Sequence, residues 1–278
     1  MPLLTGPVVY LTDGGPASLA GLAPVVDFAK SLGSRTLLAR IKHTDDEPTI
    51  DARFDAALGA LPLERAGLDV VAVPRQKLAT GLLELAEVRG GAVALMPQRR
   101  TTFGRMLFGL THERLSRETA LPLLALPRDG KIGSVRRVLF PADLAPCSLA
   151  AFDRVIELCR ALAAELDVVH VYGDDKLLPS EIDHARRLAT KSPLELYNLH
   201  KQDIIALVDR ACAAGVPARS KSYEGRAHRQ ILAHASQNPI DMIAMPTHGP
   251  RNADDILNGS TTIRVIHQSP LPVLVFRA

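Results

Sequence analysis

One loop near the carboxyl end of the chain has the composition of an anion-binding site. Its first part is Met-Pro-Thr-His-Gly at 245–249, which is followed by nine residues and then by Gly259-Ser260. An apolar run at 241–245 leads into the loop, and helical character starts at Thr261. The pattern predicts a strand, a glycine-containing loop and a helix whose free N–H groups and dipole favour a phosphate. Since glycine lets the backbone approach a ligand closely, this loop is suited to wrapping a polyphosphate.

Other reactive arrangements do not stand out in the order of residues along the chain. There is no Gly-x4-Gly-Lys-Ser/Thr motif, which argues against a Walker-type ATPase. Neither a Ser–His–Asp spacing, nor paired carboxylates, nor a Cys–His arrangement is evident, so His170 and His248 are weak catalytic candidates. The cysteines Cys147, Cys159 and Cys212 have no metal-ligand spacing and are interpreted as small apolar side chains in a reducing compartment. We expect a binding protein rather than an enzyme.

The bulk composition is that of a globular protein. The chain has 278 residues, of which 47% are hydrophobic and 23% are charged, which suits one large or two small domains. A formal net charge of +3 does not indicate a nucleic-acid partner. The sequence contains no apolar run of about 18 residues, and its first residues lack the features of a secretory signal. We therefore expect a cytoplasmic protein without a membrane span.

The chain contains the same plan twice. Asp13 and the Ser-Leu-Ala that starts at Ser18 recur in the second half as Asp143 and the Ser-Leu-Ala that starts at Ser148. Later matches, such as Leu-Pro-Leu-Leu at 121–124 with Leu-Pro-Val-Leu at 271–274, have a larger offset. The second copy therefore holds an insertion of about twenty residues. We predict two tandem domains, 1–130 and 131–278, with a polar linker at 127–134 and inserted helices within 178–215.

Apolar runs alternate with helical periodicity through both halves. Strands are predicted over 8–12, 35–41, 68–73, 92–96 and 121–126, and again over 135–141, 166–171, 218–223, 241–246 and 272–276. Helices are predicted over 18–32, 51–60, 77–88, 110–117, 148–163, 194–214 and 227–237, with further helix starts at 180 and 260. Strands separated by helices predict right-handed βαβ units and a parallel sheet covered on both faces. The predicted fold class is α/β.

Together these residues resemble the universal stress protein family in its tandem two-domain form. The family pattern is an Asp after the first strand and Gly-x2-Gly-x9-Gly-Ser/Thr after the fourth. Asp143, Gly249 and Gly259-Ser260 match it, whereas Pro246 replaces the first glycine and so offers no N–H to a phosphate. The resemblance implies two five-stranded parallel sheets of order 3-2-1-4-5 with helices on both faces. It also implies a ligand where that order reverses.

The resemblance further implies an adenine nucleotide as the ligand, either ATP or a relative, with or without Mg²⁺. By that resemblance Ala142, Asp143 and Val171 serve the nucleoside and the glycine loop holds the phosphates. We add Arg251, because a cation in a phosphate loop can pair with the anion. The predicted binding residues are Ala142, Asp143, Val171, Met245, Gly249, Arg251, Gly259, Ser260 and Thr261; no catalytic or metal-binding residue is predicted.

The first half departs further from the pattern. The residues at 97–100, Pro-Gln-Arg-Arg, lack the early glycines, and Leu110 stands where the second half has Ser260. A leucine supplies neither a hydroxyl cap nor a polar ligand contact. Asp13 is retained, but an Asp after a strand is also a common turn residue. We therefore expect the nucleotide motif of the first domain to be degenerate.

Three functions fit these observations. The leading hypothesis is a stress-response regulator in which nucleotide occupancy changes the balance between two states. The alternatives are a ligand-free interaction module, favoured by Pro246 and Leu110, and a slow nucleotide hydrolase with phosphates near His248. The resemblance also implies that the last strands of the two halves pair within one chain as an internal pseudo-dimer, which would cover two apolar edges. A homodimer of chains is a further possibility.

Overall fold

The strands and helices follow one another as the alternating pattern predicts. The computed structural model describes residues 6–12, 15, 19–42, 48–61, 68–74, 92–95, 122–127, 129–144, 146–172, 193–247 and 261–277. Within those residues the strands are β1 (Val8–Thr12), β2 (Thr36–Lys42), β3 (Leu68–Pro74), β4 (Ala92–Leu95), β5 (Leu123–Ala125), β6 (Arg137–Pro141), β7 (Glu165–Tyr172), β8 (Ala218–Glu224), β9 (Met242–Thr247) and β10 (Val273–Arg277). The helices are α1 (Leu22–Ser31), α2 (Pro48–Gly59), α3 (Pro146–Leu162), α4 (Pro193–Ala213), α5 (Ala227–Gln237) and α6 (Thr261–Gln268).

All of these strands belong to one sheet, in the order β3-β2-β1-β4-β5-β10-β9-β6-β7-β8. Neighbouring strands within each half are parallel. Each half therefore has the order 3-2-1-4-5, and the predicted α/β fold class is confirmed. The two five-stranded halves form one continuous sheet, because β5 pairs with β10 in an antiparallel ladder; the family resemblance led us to expect pairing between these last strands.

The sequence predicts the strands more accurately than the helices. Each observed strand end lies within about two residues of its prediction, because short apolar runs bounded by turn residues mark buried strands clearly. The helix α1 begins at Leu22, four residues later than predicted, and α2 begins at Pro48, three residues earlier. Proline is favoured in the first turn of a helix, which accounts for the second difference. The helices predicted over 77–88, over 110–117 and from 180 lie outside the described residues.

Alternate residues of the strands build two cores, one on each face of the sheet. On one face, Tyr10, Phe140 and Leu274 pack with apolar residues of α1, α3 and α4. On the other face, Leu139 and Val275 pack with residues of α5 and α6. Strands covered on both faces must be apolar at nearly every position, which explains why most of them appear in the sequence as continuous apolar runs.

Three helices end in the same way. After α1 the N–H of Ser34 donates to the carbonyl of Ala29 at 2.8 Å, around Gly33 in the left-handed region (φ 68°). The same hydrogen-bond pattern follows α3 and α4, where Ala163 (φ 52°) and Gly215 (φ 82°) take the place of Gly33. This arrangement satisfies carbonyls that a helix end leaves free. Glycine adopts the left-handed conformation at no steric cost, whereas the Cβ of Ala163 makes the same conformation unfavourable.

Candidate functional site

The strand order of the second half reverses at β6, and the carboxyl ends of its parallel strands form one edge of the sheet, called here the carboxyl edge. In the sheet β6 lies between β9 and β7, so the chain leaves β6 and β9 towards opposite faces. The helix that follows β6, α3, packs on one core, and the helix that follows β9, α6, packs on the other. Ligands of open α/β sheets bind in the crevice that such a divergence creates.

The loop after β6 is held by the neighbouring strand. The N–H of Ala142 donates to the carbonyl of Val169 at 2.8 Å, and Nδ1 of His170 lies 2.9 Å from the carbonyl oxygen of Ala142. Because a carbonyl only accepts hydrogen bonds, Nδ1 carries the proton. The side chain of His170 thus fixes the main chain immediately before Asp143.

Two polar atoms near this loop have unused hydrogen-bonding capacity. Nε2 of His170 and Oγ of Ser148, in the first turn of α3, are buried and have no hydrogen-bond partner among the described residues. The ring of His200 on α4 meets the ring of His170 edge-on, with centroids 5.2 Å apart. Buried polar atoms without a partner are uncommon in native proteins and usually mark an ion, a water or a functional role.

The other side of the crevice is held by a hydrogen bond between α6 and β9. Oγ1 of Thr262, in the first turn of α6, donates to the carbonyl of Pro246 at 3.2 Å. This bond keeps the beginning of α6 beside the end of β9, although Thr262 and Pro246 are 16 positions apart in the sequence. The N-terminus of α6 therefore lies at the same edge of the sheet as Asp143.

The structure places five of the nine predicted site residues. Asp143 is exposed after β6, Val171 is half-buried near the end of β7, and Thr261 is half-buried at the start of α6. Ala142 and Met245 are buried, so a ligand contact at Met245 would involve its main chain rather than its side chain. The remaining predicted residues, Gly249, Arg251, Gly259 and Ser260, lie outside the described residues.

The sequence of the second half matches a known family. Residues 134–277 fit the model of the Universal stress protein family. The chain belongs to this family.

Curated relatives and solved structures agree with that assignment. The chain is 24% identical over 232 residues to the universal stress protein Slr1230 of Synechocystis, a match covering 81% of this chain and 72% of Slr1230. It is 23% identical over 145 residues to the universal stress protein YxiE of Bacillus subtilis, covering 51% of this chain and 98% of YxiE. A universal stress protein structure from Archaeoglobus fulgidus has a TM-score of 0.68 at 20% identity, covering 99% of this chain and 97% of that one.

A second solved structure supports the same fold over the whole length. It is a functionally unknown protein, PA1789, from Pseudomonas aeruginosa, with a TM-score of 0.62 at 12% identity, covering 99% of this chain and 92% of that chain. At such low identity these likenesses concern the fold alone. Both halves of this universal stress protein family member thus share an architecture with full-length solved chains.

A second polar cluster in this family member was not predicted from its sequence. Asp167 of β7 is 1% exposed and accepts two hydrogen bonds from Arg219 of β8, each 2.8 Å long. It also accepts one from Nε2 of His234 on α5, at 3.0 Å. Nδ1 of His234 lies 2.8 Å from the hydroxyl of Tyr223, and Nε of Arg137 lies 3.9 Å from the carboxylate.

The local sequence holds one signal that points to this cluster. Asp167 stands between the buried apolar residues Leu166 and Val168 of β7, and a buried charge needs partners. The partners come from β8 and α5, and the hydrogen bonds to Asp167 raise the pKa of Arg219 above its ordinary value. The cluster lies on the face of the sheet that α5 covers, away from His170 and Ser148.

Two further properties bear on the function of this family member. The described residues contain no group of three or more His, Cys, Asp or Glu side chains that could hold a metal ion. Among the helices that the structure describes, none is long and apolar enough to cross a membrane.

Proposed function

We propose that this universal stress protein binds an adenine nucleotide of the ATP type at the carboxyl edge between β6 and β9 and acts as a stress-response switch. The reversal of strand order at β6 is the observation that supports the proposal most directly. It brings the loop of Asp143 and the start of α6 to one edge. Each of these segments is fixed by a hydrogen bond, from His170 and from Thr262 respectively.

The charges of the two segments suggest how the nucleotide would lie. The exposed carboxylate of Asp143 accepts hydrogen bonds from ribose hydroxyls or an amino group, but it repels a phosphate. The start of α6 presents main-chain N–H groups, which favour a phosphate. The nucleoside would therefore lie towards Asp143 and Val171, and the phosphates towards Thr261 and the glycine loop at 249–260.

The two halves would have different tasks. We assign residues 1–130 and 131–278 to two domains, of which the second binds the nucleotide and the first, with Leu110 in place of the serine, does not. The strand β9 lies beside β10, and β10 pairs with β5 of the first half. Nucleotide binding in the second domain would change the conformation of the first domain through this ladder, so the chain would work as an internal pseudo-dimer. The switch requires only that the nucleotide binds one conformation better than the other.

Two measurements on the full-length protein test the binding proposal. Mass spectrometry of the small molecules released by heating should identify an adenine nucleotide. Isothermal titration calorimetry of nucleotide-free protein should give one ATP site per chain. Asp143→Asn should weaken ATP binding about tenfold, which corresponds to about 1.4 kcal/mol, because it removes a charged hydrogen-bond acceptor. Gly259→Glu should abolish binding, because it adds a negative charge to the phosphate loop.

A matched control separates a site effect from a general charge effect. Asp129, which precedes β6, also carries an exposed carboxylate, and Asp129→Asn should leave ATP affinity unchanged. Protein that releases no nucleotide and shows no heat or thermal shift with millimolar ATP would contradict the proposal and favour an interaction module. Phosphate release from ATP that stops when a chelator is added would indicate the slow hydrolase instead.

A further inference from the structure

We propose that Tyr223 is a nucleophile whose hydroxyl is activated by His234 and Asp167, and that it accepts acyl groups from activated esters. Three side chains from three separate elements, β8, α5 and β7, meet in one hydrogen-bonded row. This site is distinct from the nucleotide crevice and does not depend on the function proposed there.

The directions of the hydrogen bonds define the roles. The carboxylate of Asp167 only accepts, so Nε2 of His234 carries a proton and donates it across 3.0 Å. In the neutral ring Nδ1 is then an acceptor, and the hydroxyl of Tyr223 donates to it across 2.8 Å. A hydroxyl, an imidazole that accepts its proton and a carboxylate that orients the imidazole are the three parts of an activated nucleophile.

The base is held rigidly in this orientation. The side chains of Asp167 and His234 are 2% and 5% exposed, and Arg219 fixes both carboxylate oxygens. The rings of Tyr223 and His234 meet at 66°, with centroids 5.7 Å apart. Such a fixed geometry lowers the entropic cost of proton transfer from the hydroxyl to the ring.

The proposal requires that a reagent reach the hydroxyl of Tyr223 from the edge of the sheet. Its strand, β8, is the terminal strand of the described sheet, and the side chain of Tyr223 is only partly buried. Arg219 pairs with Asp167 and offsets its negative charge. We therefore expect an acceleration of about tenfold, below the 10²–10⁴ that a general base typically contributes.

The chemical step is balanced without any additional redox partner. The phenol oxygen of Tyr223 attacks the carbonyl carbon of p-nitrophenyl acetate, and its proton moves to Nδ1 of His234. A bond forms between that oxygen and the acetyl carbon. The bond from the acetyl carbon to the p-nitrophenolate oxygen breaks, and p-nitrophenolate leaves with the electron pair. The product is an acetyl ester on Tyr223.

The test is acetylation of the full-length protein with p-nitrophenyl acetate near neutral pH, with peptide mapping by mass spectrometry over time. Tyr172, which is 36% exposed at the end of β7, serves as the internal reference tyrosine. We expect Tyr223 to be acetylated about tenfold faster than Tyr172. His234→Gln should abolish this difference while leaving the rate at Tyr172 unchanged, because glutamine can still donate to Asp167 but is not a base.

The outcomes separate a nucleophile from a cluster that only attaches α5 to the sheet. A purely structural cluster predicts a rate at Tyr223 that is equal to or below the rate at Tyr172, or an unchanged Tyr223 rate in folded His234→Gln protein, and either result overturns the proposal. If His234→Gln does not fold, the ratio of the two rates in the unaltered chain decides alone, and a ratio near one rejects the proposal. Tyr223→Phe should remove the fast acetyl ester and keep the ring packing.

Discussion

Leu124 of β5 lies directly opposite Leu274 of β10 in the antiparallel ladder that joins the two halves of the sheet. Leu124 is 1% exposed and Leu274 is 3% exposed. Both belong to the core cluster that also contains Tyr10 and Phe140. The apolar core on this face is therefore continuous from one half of the chain to the other. We therefore expect the stability of each half to depend on the other.

We predict that Leu124→Ala lowers the free energy of unfolding by about 3 kcal/mol, because it leaves a cavity in the shared core. Urea unfolding followed by far-UV circular dichroism and tyrosine fluorescence should show a single transition that shifts as a whole. Leu149, 38% exposed on α3, is the control, and Leu149→Ala should change stability by less than about 0.5 kcal/mol. Two separate transitions, of which only one moves in Leu124→Ala, would show that the halves are energetically independent.

The fold follows from the sequence largely because its strands are short apolar runs between turn residues. Alternation of such runs with helical periodicity predicts the βαβ units, but the order 3-2-1-4-5 came from the family resemblance of Asp143 and the glycine loop. Periodicity also misplaces helix starts, as at Leu22, since it reports which face is apolar rather than where the first turn forms. The pairing of β5 with β10, which joins both halves into one sheet, was likewise expected from that resemblance, because local patterns do not encode pairing between strands far apart in the sequence.

The family resemblance, rather than any spacing rule, groups the residues of the candidate site. The sequence places Asp143 and Ala142 just after a strand, but their predicted contact with a nucleoside comes from that resemblance. The hydrogen bond from His170 to Ala142 joins residues 28 positions apart, and that from His234 to Asp167 joins residues 67 positions apart. No spacing rule covers such pairs, because they depend on which strands are neighbours and on where α5 crosses them. For this reason the Tyr223–His234–Asp167 row could not be derived from the order of residues.

The left-handed helix end at Ala163 predicts a stabilising substitution. Ala163→Gly should raise the free energy of unfolding by about 0.5–1 kcal/mol. The left-handed conformation costs an alanine about 1–2 kcal/mol, and glycine avoids this cost. Part of the benefit is lost because glycine has more conformational freedom in the unfolded chain. Urea denaturation measures the change.

Two controls test this explanation. Gly33→Ala should lower stability by about 1 kcal/mol from backbone strain alone, because an added Cβ there meets no atom within 4 Å. Ala150→Gly, at an exposed interior position of α3, should also destabilise, by about 1 kcal/mol. If Ala163→Gly destabilises the protein as Ala150→Gly does, the strain at Ala163 is not the deciding factor.

The free cysteines should differ strongly in reactivity. Cys159 is buried in the core, and burial raises the pKa of its thiol to about 12, whereas Cys212 is exposed. Only the thiolate reacts, so at about pH 8 a disulfide reagent such as DTNB should label Cys212 within minutes and Cys159 only after unfolding in urea. The experiment uses Cys147→Ser protein, so that only the thiols of Cys159 and Cys212 can be labelled. Two equivalents of rapid labelling in that protein under native conditions would contradict the prediction.

The ion pair of Arg219 should contribute more to stability than a surface pair with an equally exposed arginine. Arg219 and Arg210 have side chains that are 52% and 51% exposed, but their partners differ: Asp167 is 2% exposed and Asp153 is 52% exposed. Removing Arg219 takes a cation away from a buried carboxylate, whereas removing Arg210 takes one away from an exposed carboxylate that water can solvate. After allowance for the exposed guanidinium, Arg219→Gln should cost about 2 kcal/mol and Arg210→Gln less than about 1 kcal/mol.

The pH dependence of that difference follows from the direction of the pKa shift. The hydrogen bonds to Asp167 raise the pKa of Arg219, so this stabilisation is complete below the pKa of an arginine in the unfolded chain and is lost only as the pH rises through the higher folded value. Urea unfolding of both variants at about pH 7 and pH 9 should therefore give the same difference in stability. Equal losses for the two variants would mean that His234 and Arg137 compensate the buried carboxylate without Arg219.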